Sequence, residues 1–126
     1  MKQKGFTFIE LLVVITIIAV VFAAGVVSYT AISKNSRNAR RGADLEAIRQ
    51  GLEMCRSIDG EYPVSIYPSV TCPLSDPAII TLTSTPLDPR PCEGYLDGVY
   101  SYVSDSSTYS LTADCYEDTP KVVTNP

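Results

Sequence analysis

The chain of 126 residues contains no histidine and no tryptophan. It therefore lacks the commonest general base and the commonest metal ligand. Its four cysteines are the remaining soft-metal donors, and none stands in C-x-x-C spacing, so a zinc site is disfavoured. No proline precedes Pro63, and residues 61–126 hold all nine. From Leu11 to Ser33 there is no charged residue in a run of 23. Positive charge is also short overall: the net charge of −4 disfavours a nucleic-acid partner, and no nucleic-acid site is evident. No combination of nucleophile, base and orienting group stands out, which points away from an enzyme. The length allows one small domain.

What is present is unevenly distributed. Residues 34–56 carry six bases (Lys34, Arg37, Arg40, Arg41, Arg49, Arg56) against three acids, whereas residues 61–126 carry nine acids against Arg90 and Lys121. The chain has a greasy first third, a basic waist and an acidic, proline-rich second half.

The uncharged run is long enough to span a hydrocarbon core of about 30 Å as a helix, which needs roughly 20 residues. Its many β-branched residues would suit a strand in water. In lipid the backbone must satisfy its own hydrogen bonds, and a helix does so within one segment. A cleaved secretory signal is the plain alternative, with Ala23-Ala24-Gly25 as a cleavage site. Against it stand the length of the apolar run and a carboxylate, Glu10, at its start. A charge next to the membrane is costly, and a secretory signal has no use for it.

The residues Lys4-Gly5-Phe6-Thr7-Phe8-Ile9-Glu10 form a basic leader, a glycine, a phenylalanine and a glutamate five residues after the glycine, ahead of the aliphatic helix. This segment resembles the signal of type IV prepilins and type II secretion pseudopilins. The resemblance implies cleavage by a prepilin peptidase between Gly5 and Phe6, followed by N-methylation of Phe6. It implies that Glu10 neutralises the terminal amine of a neighbouring subunit during filament assembly. The physics agrees: amine and carboxylate are each unfavourable in lipid, and pairing them across subunits removes most of that penalty. Lys2 and Lys4 precede the span while Lys34, Arg37, Arg40 and Arg41 follow it, so positive-inside counting would place the second half in the cytoplasm. The resemblance implies the reverse, with the leader cytoplasmic and the head outside.

Beyond Ser33 a helical period continues, with apolar or small residues at Ile32, Ser36, Ala39 and Ala43, then Leu45, Ile48, Leu52 and Cys55. Arg40, Arg41, Glu46, Arg49, Gln50 and Glu53 are expected on the polar face. Gly60 supplies a left-handed stop. One helix from Phe6 to Ile58 is predicted, roughly 80 Å long. The basic cluster at 34–41 reads as a solvated collar or as a contact for anionic phospholipid. Residues 51–63 also resemble the helix end common in pilins, with Cys55 where a tyrosine is usual. Many relatives carry a proline in the anchor, and this sequence has none.

The second half favours loop and strand. An extended stretch is expected over Val64–Val70, a short apolar run over Ala78–Leu82, and a turn-rich crossing over Thr85–Pro91. A hairpin is expected from Val99–Ser104 and Thr108–Ala113 around an Asp105–Ser107 turn, both arms alternating with period two. Tyr100 and Tyr102 would share one face, as would Tyr109, Leu111 and Ala113. The predicted fold is α+β and pilin-like: leader 1–5, transmembrane and polymerisation helix 6–33, amphipathic continuation 34–60, and a small antiparallel head 61–126.

Four cysteines allow three connectivities. Cys55–Cys72 would tie the helix end to the following loop, and Cys92–Cys115 would close a C-terminal loop around the hairpin. The second pair would resemble the C-terminal disulfide of many pilins. Major pseudopilins often bind calcium in a loop near this place, which makes Asp105, Asp114, Glu117 and Asp118 candidate oxygen ligands. Their spacing is not as definite as that of an EF-hand, and a solvated acidic rim is the preferred reading. The family resemblance implies a subunit of a helical filament, in the membrane before assembly and at the cell surface after it, handled by an inner-membrane assembly platform. A secretion pseudopilin is the nearest alternative. A monomeric anchored or secreted envelope protein is the most distant one.

Overall fold

The computed structural model describes residues 5–117 and 119–125. A single helix, α1 (Phe8–Asp59), is followed by β1 (Val70–Thr71), β2 (Ile80–Leu82), β3 (Ser101–Ser104), β4 (Tyr109–Ala113) and β5 (Lys121–Thr124). The layout is α+β and pilin-like, a long helix with an apolar first half followed by small antiparallel sheets. The helix starts two residues later than the sequence predicts because Thr7 takes the capping position. It stops at Asp59, where Gly60 turns left-handed at φ +81° and donates its N–H to the Arg56 carbonyl at 2.9 Å.

The chain divides into two units, residues 1–35 and 36–126. In the first, the large apolar side chains Phe8, Leu11, Ile15, Ile18 and Phe22 are all exposed. A helix this apolar in water would bury a stripe against a partner element. This one is long and apolar enough to cross a membrane.

In the second unit the helix does bury a face, through Leu45, Ile48, Leu52 and Cys55 as expected, but ahead of Leu45 the register differs from the expected one. Ser36, Ala39 and Ala43 are exposed. The buried positions are Asn38, Arg41, Leu45, Ile48, Leu52 and Cys55, spaced alternately three and four. Leu45, Ile48, Leu52 and Cys55 meet Tyr62, Ile66, Val70 and Cys72 from the segment through β1 and Tyr100, Tyr109, Leu111 and Ala113 from the hairpin region. Gly51 lies buried under the first sheet. A Cβ there would stand 3.4 Å from the Thr81 hydroxyl and the Leu82 Cβ, and that hydroxyl donates to the Gly51 carbonyl at 2.9 Å.

The sheet structure also departs from the expectation of one sheet. β1 and β2 pair antiparallel by themselves, with Val70 opposite Leu82. Residues 64–69 form no strand; Pro68 has no N–H to contribute, and the ladder begins at Val70. The hairpin is present with shorter arms, Tyr102 opposite Leu111 and Ser104 opposite Tyr109. β5, which the sequence did not suggest, adds to the far side of β4 with Val123 opposite Leu111. Along β4, Tyr109, Leu111 and Ala113 are buried and their neighbours half-buried, the period-two pattern of a strand with one face on a core.

Candidate functional site

Gly5 and Phe6 lie ahead of the helix, both exposed, with no atom within 4 Å of the place a Gly5 Cβ would occupy. The step between them is therefore exposed and lies outside the helix. Thr7 and Glu10 then make a reciprocal capping box. The Thr7 N–H donates to Glu10 Oε2 at 2.9 Å and its hydroxyl to the same oxygen at 2.7 Å, while the Glu10 N–H donates to the Thr7 hydroxyl at 3.3 Å. The helix thus begins on its own side chains. Both bonds fall on Oε2. Among the described residues no hydrogen bond reaches Oε1, so the carboxylate keeps acceptor capacity for a cation from elsewhere.

The head is tied to α1 by groups that the sequence reading placed in solvent. Arg41, expected on the polar face, is buried, its side chain 1 % exposed against 4 % for Asp88. Nε and Nη2 donate to the two Asp88 oxygens at 2.7 and 3.0 Å, a fork-to-fork pair. Nη1 donates to Asn38 Oδ1 at 3.1 Å and Nη2 also to the Arg90 carbonyl at 3.0 Å. The Arg90 N–H in turn donates to Asp88 at 2.8 Å. The hydrogen bonds that it donates to Asp88 push the Arg41 guanidinium further toward its charged form, against the cost of burial. Arg37 reaches Glu117 at 2.7 Å, and the Glu117 N–H donates to Asn38. Two cations of the supposed collar are thus internal struts. The signal for this was available: Arg41 continues the three-four spacing of Leu45, Ile48, Leu52 and Cys55.

Tyrosines supply a second set of ties. Tyr62 and Tyr109 both donate to Glu53, at 3.1 and 3.4 Å, and Tyr100 donates to Asp44 at 2.9 Å. Burial first, and the Glu53 carboxylate second, push the Tyr62 phenol above its usual pKa.

Two disulfides are present. Cys55–Cys72 joins the end of α1 to β1's margin, and Cys92–Cys115 joins the loop before β3 to the residue pair after β4. The acidic residues proposed for calcium are not gathered. Asp105 caps the hairpin turn, accepting from the N–H of Thr108 at 2.7 Å and of Ser107 at 3.1 Å. Hydrogen bonds from Thr108, backbone then hydroxyl, and from the Ser107 hydroxyl hold its carboxyl at about 2. Asp114 accepts from the Ser101 hydroxyl, and Glu117 serves Arg37. Asp118 lies outside the described residues. Among the described residues no group of three or more potential ligands comes together.

No curated protein and no solved structure matches the chain. Its N-terminal segment does match a known family model, that of the prokaryotic N-terminal methylation motif, over residues 1–26. Residues 1–26 thus carry the hallmark of prepilin-type proteins, the precursors of type IV pilins and pseudopilins.

Proposed function

We propose that this protein is a structural subunit of a type IV pilus-like filament. A prepilin peptidase cuts between Gly5 and Phe6, releasing residues 1–5, and Phe6 is N-methylated. Residues 6–33 hold the subunit in the cytoplasmic membrane with residues 61–126 outside, and residues 34–60 carry the head. An assembly platform in that membrane then draws subunits into a helical filament through the same helix, which ends at the cell surface. The observation that carries the reading is the methylation motif leading directly into an apolar helix with no buried face in its first unit. In lipid that face has a solvent; in a filament it has neighbours.

Glu10 is the assembly residue in this reading. Its Oε2 is engaged by Thr7, and its Oε1 is available to the new amine of Phe6 in an adjoining subunit. Charge neutralisation between copies fixes the axial register, because a subunit one step out of place leaves both charges unpaired in an apolar bundle.

The test is mass spectrometry of the N-terminal peptide in sheared surface material, for the native chain and for Glu10→Ala. The native chain is expected there beginning at methylated Phe6. The variant is expected cleaved and membrane-inserted but missing from the sheared fraction. A native chain processed at Phe6 yet confined to the membrane fraction would favour a secretion pseudopilin or a minor subunit. A start near Val26 would mean ordinary secretion and would overturn the proposal, and filaments of normal yield from Glu10→Ala would overturn the pairing role.

A further inference from the structure

Between Cys92 and Gly98 the chain makes a short loop that is held from several directions. The Cys92–Cys115 disulfide anchors one end. The Tyr95 N–H donates to the Cys92 carbonyl at 3.0 Å, the Gly98 N–H to the Tyr95 carbonyl at 3.2 Å, and the Asp88 N–H to the Gly98 carbonyl at 2.8 Å. Gly98 sits at φ +70°, where a Cβ would press on the Pro91 ring at 3.3 Å. This braced loop holds Leu96 out to solvent at 83 % exposure, beside a partly exposed Tyr95. Glu93 and Asp97 flank them, exposed and with no ion pair among the described residues. Asp97 accepts from the Val99 N–H at 3.4 Å, and a leucine held outward between two carboxylates without a cation partner is a shape that suits an apolar surface carrying a cation.

The same chain has such a surface. Of the three arginines at 37, 40 and 41, Arg37 and Arg41 are committed to Glu117 and Asp88. Arg40 alone of the three is exposed and makes no ion pair among the described residues. Ala39 and Ala43 lie beside it on the outward face of α1, also exposed. Acid on the loop and base on the helix are complementary, and both are exposed on one subunit, so a second copy can bring them together. Two different patches that meet in this way make a heterologous contact, which propagates as an open helix when the rotation does not close.

We infer that the Cys92–Gly98 loop of one copy docks on the Ala39–Ala43 face of another, seating Leu96 between the alanines with Glu93 and Asp97 about Arg40. The inference rests on the filament reading and names a contact for the heads within it.

The test places a photo-crosslinking phenylalanine analogue at position 96 of the full chain and maps the product in sheared filaments. The expected product joins position 96 to residues 36–43 of a second copy. Filaments that form normally while the label lands on another protein, on lipid, or on a different face of the second copy overturn the docking and leave the filament reading intact. Absence of filaments from the native chain overturns both. As a second measurement, Arg40→Glu alone and Glu93→Arg with Asp97→Arg are each expected to lower filament yield about tenfold or more through like-charge contact, and their combination to recover most of it. Alkylation under non-reducing conditions checks that each variant keeps the Cys92–Cys115 bridge. Folded variants that assemble like the native chain, or a combination no better than its parts, would also overturn the docking.

Discussion

Replacing Arg41 with alanine takes away four donor contacts at once. Asp88 loses the bonds at 2.7 and 3.0 Å and keeps, of the bonds described here, the Arg90 N–H. Its side chain is only 4 % exposed, so the carboxylate is left buried without its cation. Breaking a buried ion pair from one side costs about 3–5 kcal/mol. For a unit of roughly 90 residues, about 4–8 °C of melting temperature accompanies each kcal/mol, so a fall of about 12–40 °C is expected. Arg41→Lys keeps the charge and gives up the planar fork, and an intermediate loss follows. Arg41→Met combined with Asp88→Leu removes both charges and is expected to recover much of the stability. Thermal unfolding of the full chain in detergent, followed by tyrosine circular dichroism with the disulfides intact, measures all four proteins. The eight tyrosines report without interference, since there is no tryptophan. A loss within about 0.5 kcal/mol for Arg41→Ala, as for an ordinary surface change, would refute the reasoning. So would a double variant as unstable as the single one.

Each disulfide closes a loop, of 17 residues for Cys55–Cys72 and 23 for Cys92–Cys115, and each is expected to contribute about 3 kcal/mol. Cys55 and Cys72 are buried while Cys92 and Cys115 are half-buried, so graded reduction should open Cys92–Cys115 first; mass-resolved alkylation showing the opposite order would contradict the burial argument. Tyr62, Tyr67, Tyr100, Tyr102 and Tyr109 all have phenols pushed upward chiefly by burial. A raised folded value means their stabilisation is complete below the unfolded pKa near 10 and is lost as pH rises beyond it. Phenolate absorbance should therefore show these five ionising together with unfolding, and five independent titrations near 10 would count against it. The Asp105 carboxyl, held at about 2, contributes stability above its unfolded value of about 3.9 that is lost as pH falls through 2. Nuclear magnetic resonance of its carboxyl carbon, with the Ser107 and Thr108 amides as reporters, should find that low midpoint; an ordinary one would mean the turn is not capped as described.

Some of this protein is local and was legible in the residues alone. The uncharged run from Leu11 to Ser33 specifies an apolar helix in lipid, where backbone satisfaction leaves few alternatives. The Gly5-Phe6 step with Glu10 behind it is part of a linear motif, carried by consecutive residues. The hairpin followed from period-two alternation about Asp105, whose capping bonds span three residues. The rotation of α1 against the head was not local. Ser36, Ala39 and Ala43 share a helical period with the core, yet only packing chooses which stripe faces inward, and it chose the one containing Asn38 and Arg41. Arg41 could be buried because Asp88, 47 residues away, arrives on a proline-rich crossing with both oxygens aligned. β5 has four residues and only two apolar ones, too little pattern to announce a strand. The free edge of β4 supplied the hydrogen bonds that made it one. Sequence by itself determined the helix, the motif and the hairpin, since those depend on neighbours in the chain. The tertiary structure decided which face is buried, which charges are paired and where the last strand lies, since those depend on groups that meet only when the chain has folded.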